Sequence, residues 1–280
     1  MRIGIIGLGH IGLPLATFLH EQQHQVFSWT RKDRLVPWTN SNNLNSLSTS
    51  NLDVLIIASG AARPNSGDST VEISSTLGLI KGRLHVSNVR VIYISSGAVY
   101  GECAFPATEM ALPEPSTEYG RAKLAAEQSL EQVYGDQLIS LRVGNLIDPL
   151  HPYGILQNLS RAVREKAVTL YGLPTDCRDF IGVSDFLFAV EAIIQLRIIP
   201  KTLNVGSGRS VELHEIQEIL RRNLNQQLSV AWKERRSGDI ARTKLDVSQM
   251  QKKLGLNPSD PLSLLLNYVS EINLIDQSGN

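Results

Sequence analysis

The chain has 280 residues, of which 42% are hydrophobic, 19% charged and 6% aromatic; this excludes a disordered chain and suffices for one large domain or a domain with a smaller lobe. Lys+Arg and Asp+Glu are both 27, so the formal net charge is zero and no global field gathers nucleic acid or an acidic membrane. Two cysteines, Cys103 and Cys177, form no disulfide framework, and no apolar window approaches the roughly 20 residues of a spanning helix, so the expectation is a cytoplasmic protein.

Ile3–Ile6 is a short apolar run of the kind buried on both faces of a parallel sheet, and Gly7-Leu8-Gly9-His10-Ile11-Gly12 follows it directly. A helix pattern carrying Leu13, Ala16 and Leu19 comes next, then a second strand at Val26–Trp29. The segment 33–51, rich in Asn, Ser and Thr, reads as an irregular excursion with one short strand at Leu35–Trp38. Strands at Val54–Ala58, Val91–Ser95 and Leu138–Val143 alternate with helical stretches near 70–87 and 120–134. This alternation predicts an α/β fold, a Rossmann-type doubly wound parallel sheet over residues 1–145. Beyond residue 145, Pro149, Pro152, Gly172 and Pro174 punctuate helices expected at 154–167, 184–197 and 211–224, so 146–280 reads as a smaller substrate lobe.

A glycine hexad between strand and helix is a dinucleotide signature. The first glycine permits the turn, the second lets backbone approach a pyrophosphate, and the third packs helix on sheet. The expected cofactor-facing set is Gly7, Gly9, His10, Ile11, Gly12, Arg31, Ala58, Ser59 and Gly60, joined by Tyr119 and Lys123. The second strand ends Trp29-Thr30-Arg31-Lys32 with no carboxylate before Asp33. Arg31 is then either a 2′-phosphate ligand, favouring NADP over NAD, or a solvated surface residue.

Ser95-Ser96-Gly97-Ala98-Val99-Tyr100-Gly101 closes the strand from Val91, and Tyr119-Gly120-Arg121-Ala122-Lys123 opens the next helix. Residues 119 and 123 share one helical face. A tyrosine of ordinary pKa near 10 needs a nearby ammonium before it exchanges protons at neutral pH, and Ser96 can steady the same substrate oxygen. No metal is expected.

These segments resemble the extended short-chain dehydrogenases/reductases of the NAD-dependent epimerase/dehydratase group over about residues 3–258. The likeness extends to Leu141-Arg142-Val143-Gly144-Asn145, Arg178-Asp179-Phe180-Ile181, Leu203–Gly208, and Arg235-Arg236-Ser237-Gly238-Asp239 with Asp246 and Leu254-Gly255-Leu256. The resemblance implies Ser96, Tyr119 and Lys123 as the catalytic set. It implies Asn145, Arg178 and Arg236 on a nucleotide diphosphate, Asp239 on its ribose, and a second copy of the chain as candidate partner. Three positions depart from the family pattern: Gly9, which follows Gly7 after one residue where three are usual, Gly182, where His is frequent, and Asp148, where Gly is frequent. Family dehydratases carry an Asp-Glu pair after the catalytic hydroxyl residue; Gly97 and Ala98 stand there instead. The expected activity is therefore a 4-ketoreductase of a nucleotide-linked deoxysugar. A C4 epimerase and a dinucleotide-binding sensor without turnover remain the alternatives.

Overall fold

The computed structural model describes residues 1–30, 40–43, 51–59, 78, 89–224, 228–236 and 239–278. A seven-stranded sheet forms its centre, in the order β10-β6-β5-β4-β1-β2-β3, and every pairing in it is parallel. These strands are β1 (Arg2–Ile6), β2 (Gln25–Thr30), β3 (Asn40–Asn43), β4 (Val54–Ile57), β5 (Arg90–Ser96), β6 (Leu138–Val143) and β10 (Thr202–Val205). The strand order reverses between β1 and β4, where a crevice opens at the carboxyl ends of doubly wound sheets. The expected fold is the one observed.

The apolar runs form central strands because each side of the sheet is covered. Ile3, Ile5, Ile92, Ile94, Ile139 and Leu141 pack on one face with Leu15 and Leu19 of α1 (Gly12–Glu21). Phe186, Val190 and Ile193 of α4 (Val183–Gln195) complete that layer. On the opposite face Leu55, Ile57, Val91 and Tyr93 meet Ala126, Leu130 and Tyr134 of α2 (Glu118–Tyr134). Burial of a Leu or Ile side chain contributes about 1.5–3 kcal/mol, so these layers dominate the stability of the sheet.

A third core holds the C-terminal part together. Leu156 and Leu159 of α3 (Ile155–Glu165), Ile216 and Leu220 of α5 (Leu213–Asn223), and Leu265 and Val269 of α7 (Pro261–Ser278) pack with Phe180. Two small sheets frame it. One orders β11 (Ser210–Glu212), β9 (Cys177–Gly182) and β7 (Asn145–Ile147); the other pairs β12 (Ser229–Lys233) with β8 (Ala167–Tyr171). A short helix, α6 (Ser248–Leu254), packs Met250 into the main core.

The helices expected at 154–167, 184–197 and 211–224 lie at 155–165, 183–195 and 213–223. The described strand in the Asn/Ser excursion is Asn40–Asn43, pairing Phe27 with Asn40; the strand expected at 35–38 and the helix near 70–87 lie outside the described residues. Among the described residues no helix is long and apolar enough to cross a membrane.

Candidate active site

The glycine hexad turns the chain from β1 into α1. Gly7 adopts φ +94° and its N–H donates to the Trp29 carbonyl at 2.8 Å. A Cβ on Gly12 would stand 1.8 Å from the Gly7 carbonyl oxygen, so the helix can start here only with glycine. At Gly9 a Cβ would meet nothing within 4 Å, leaving that backbone open to approach. The Ala58 N–H donates to the Ile6 carbonyl at 2.9 Å, and Ser59 packs on Gly7. The first turn of α1 carries no acidic residue and no side chain caps it, so its positive end suits an anion. This open, carboxylate-free turn fits a dinucleotide pyrophosphate, with Gly7, Gly9, His10, Ile11, Gly12, Ala58 and Ser59 around it. Arg31 and Gly60 lie outside the described residues.

Ser96 ends β5 and caps a single 3-10 turn, Gly97–Tyr100, its Oγ accepting from the Ala98 N–H at 3.2 Å. Thr117 caps α2 by accepting from the Gly120 N–H at 2.9 Å. Gly120 is what lets these two starts meet: a Cβ there would lie 2.5 Å from the Ala98 carbonyl oxygen. Tyr119 stands in the first turn of α2. Burial pushes the Tyr119 phenol up to about 12, opposed by the Ser96 side chain, and Tyr153 adds to the rise. Lys123 is 3% exposed; its Nζ donates to the Ile94 carbonyl at 2.9 Å and lies 5.8 Å from the centre of the Tyr119 ring. Burial brings the lysine down to about 8, opposed by the carboxylate of Glu127. At neutral pH the site therefore holds a protonated phenol beside an ammonium.

Tyr153 also touches the dinucleotide turn, its ring centre 5.1 Å from that of His10. It projects from a loop that Asp148 shapes. This buried carboxylate accepts from the Leu150 N–H at 3.1 Å, the His151 N–H at 3.3 Å and the His151 ring at 3.1 Å. The departure at Asp148 is thus a loop-building residue. At the other departure, Gly182, a Cβ would stand 2.9 Å from the tip of Leu264 on α7, a flexible side chain that can shift.

The arginines of the C-terminal part divide by partner. Arg178 donates to the Cys177 and Ala241 carbonyls at 2.9 and 2.8 Å, with Asp239 and Asp176 close enough to favour its charge. Its neighbour Asp179 turns inward instead, 1% exposed, accepting from the Ser207 and Leu245 N–H groups at 3.1 and 3.4 Å. Burial pushes this carboxyl up to about 7. Arg235 forks onto Asp176 at 3.0 and 2.9 Å. Arg236 is exposed and lies over the ring of Tyr171, 3.8 Å from its centre. The Asn145 amide donates to the Asp179 carbonyl at 3.1 Å, and the Asp239 N–H donates to the Arg236 carbonyl at 3.0 Å. Asn145, Arg178 and Asp239 therefore gather around the start of β9 and the residue before it, with Arg236 and Tyr171 beyond.

Sequence reasoning missed Tyr171, Tyr153, Glu127 and Arg142. Tyr171 carried a signal in the aromatic-glycine pair Tyr171-Gly172 closing a short apolar run. Glu127 carried only a four-residue spacing from Lys123, which usually marks a solvated helix face.

Comparison with known proteins shows the family of the chain. The NAD dependent epimerase/dehydratase family matches residues 3–206. A putative GDP-L-fucose synthase 2 of Oryza sativa subsp. japonica is 27% identical over 210 residues, 68% of this chain and 60% of the relative. The dTDP-4-dehydro-6-deoxyglucose reductase of Escherichia coli is 25% identical, covering 61% of this chain and 57% of the relative. A UDP-glucose 4-epimerase of Bifidobacterium longum is 29% identical, covering 59% and 57%. The matches thus span less than two thirds of these relatives' lengths. Among solved structures, MoeE5 in complex with UDP-glucuronic acid and NAD superposes with TM-score 0.84 at 25% identity, covering 98% of this chain and 99% of that one. With more than half its length matched, this chain belongs to the NAD dependent epimerase/dehydratase family.

Proposed function

We propose that the chain is an oxidoreductase of nucleotide-linked sugars, a 4-ketoreductase that uses NADPH. The observation that carries this reading is the meeting of Ser96, Tyr119 and Lys123 at one point, with Gly97 and Ala98 following the serine. The pair lacks any side chain able to move a proton, which argues against dehydration. A dinucleotide held at the Gly7–Gly12 turn would supply the hydride. Tyr119 gives its phenolic proton to the carbonyl oxygen as the carbon is reduced, so ketone, hydride and proton become an alcohol. Ser96 steadies that oxygen, and Lys123 steadies the phenolate that remains. A phenol protonated at neutral pH suits this direction of proton transfer.

For the substrate, Asn145, Arg178, Arg236 and Asp239 offer donors and a carboxylate suited to a nucleotide diphosphate, and MoeE5 was captured with UDP-glucuronic acid. NADPH is supported by the end of β2, where Arg31 and Lys32 precede the first carboxylate, Asp33. A C4 epimerase is the second reading, favoured by the UDP-glucose 4-epimerases among the relatives and the NAD bound by MoeE5. Fluorescence titration of the purified chain with NADPH and NADH tests the cofactor. Arg31→Ala should weaken NADPH about ten- to a hundredfold and NADH little. Equal losses overturn the NADPH reading and favour the epimerase.

A further inference from the structure

Lys123 occupies a place that burial works to discharge. Its Nζ sits 5.0 Å from the centre of the Tyr93 ring and takes one hydrogen bond, to the Ile94 carbonyl. The groups that face it are Tyr119 and Glu127 on its own helix and Tyr93 with the Ile94 carbonyl on β5. Among these Glu127 is the carboxylate, one helical turn beyond Lys123 and 7% exposed.

Glu127 is held from the far side. The Ser95 hydroxyl donates to its Oε1 at 2.5 Å, Arg142 Nε to the same oxygen at 3.2 Å, and Arg142 Nη2 to Oε2 at 2.8 Å. Arg142 in turn stacks over Tyr100 at 4.7 Å, and the Tyr100 hydroxyl donates to Asn204 Oδ1 at 2.8 Å. Three donors from β5 and β6 fix the direction of the carboxylate, because each lost bond would leave a buried polar group unpaired. Ser95 immediately precedes Ser96, so one strand end anchors both the carboxylate and the catalytic hydroxyl.

We propose that Glu127 is a positioning residue of this site, whose carboxylate, held by Ser95 and Arg142, keeps the buried Lys123 in its ammonium form beside Tyr119. The inference rests on reading Tyr119 and Lys123 as the catalytic pair. A plain structural ion pair between Glu127 and Arg142 would contribute to stability alone and leave the lysine's titration untouched.

The test follows the Lys123 side-chain nitrogen by NMR in the full chain labelled with 15N-lysine, assigned against Lys123→Met, without substrate. Glu127→Gln should lower the lysine's titration midpoint by about one pH unit or more, the effect of removing an opposite charge at close range. The limb of the kcat profile that reports the lysine should move with it, while KM for the sugar substrate stays near its parent value. Glu127→Asp should restore part of the shift. Glu127→Gln leaves Arg142 buried without its counter-charge, so Glu127→Gln combined with Arg142→Met removes both charges and keeps the Ser95 bond. An unmoved midpoint in folded Glu127→Gln, or in the double variant measured against Arg142→Met alone, overturns the proposal. A moved midpoint in a chain inactive on nucleotide-linked sugars would uphold it while refuting the proposed substrate.

Discussion

The two candidate ends of the site, one at Lys123 and the other at Arg236, handle charge in opposite ways. At the catalytic end Lys123, Glu127 and Arg142 are all less than 8% exposed, and each finds its partner inside the protein. At the other end Arg236 is exposed over Tyr171, with Lys233 and Arg161 near the same ring. A buried charge must be satisfied by the fold before any ligand arrives, because an unpaired one costs several kcal/mol. An exposed arginine on an aromatic face stays hydrated and can exchange water for phosphate oxygens. The proposed function accordingly assigns proton chemistry to the buried end and recognition to the open end.

The largest effect should come from the buried end. Tyr119→Phe should lower kcat about 10²–10⁴-fold, the range of a lost general acid, with little change in dinucleotide affinity or melting temperature. Steady-state kinetics beside a cofactor titration checks this; retained turnover would place the proton donor elsewhere.

At the open end, two neighbouring arginines should separate cleanly. Arg236→Ala should raise KM about tenfold with kcat nearly unchanged, and the penalty should shrink at high ionic strength. Arg235→Ala should instead cost stability of about 1–3 kcal/mol, because Asp176, 3% exposed, loses its forked partner. Denaturant unfolding of both variants alongside kinetics tests the division; an Arg235→Ala variant that changes KM alone would contradict it.

A further expected effect concerns Asp179, which neighbours Arg178 on β9. Its carboxyl is raised from 3.8 to about 7 in the fold. Between about pH 4 and pH 7 the folded chain then keeps a proton that the unfolded chain releases, so stability falls as pH rises through that window. One such proton sets a slope of at most about 1.4 kcal/mol per pH unit. Asp179→Asn should flatten this part of the stability profile, and an unchanged slope would assign it to other groups.

How far the sequence foretold all this also differs between regions. The strands of the main sheet were legible because burial on both faces turns them into unbroken apolar runs, as in Leu138–Val143. β8 and β12 left no such mark: they pair with each other, and β12 is exposed over nearly all its length. The strands at Asn145–Ile147 and Ser210–Glu212 are three residues long, too short for a period to show. The C-terminal helix was overlooked although Asp260-Pro261 announces it: Asp260 accepts from the Ser263 N–H at 3.0 Å, and proline opens the first turn. Within the site, Ser96, Tyr119 and Lys123 could be read from spacing. Glu127 could not, because only the packing of α2 against β5 and β6 turns an ordinary helical glutamate into a buried one.

The most direct test of the central claim follows a hydride. The chain would be incubated with NADPH deuterated at the transferable position of C4 and with a panel of nucleotide-linked 4-keto-6-deoxysugars, and the products examined by mass spectrometry and NMR. The proposed reductase should place deuterium on the sugar C4 with matching loss of NADPH, and Tyr119→Phe should abolish the transfer. Nucleotide-linked 4-hydroxy hexoses, incubated in parallel with NAD, that emerge inverted at C4 would establish the epimerase, and the absence of both label on the ketosugars and inversion of the hydroxy sugars would contradict redox chemistry on nucleotide-linked sugars.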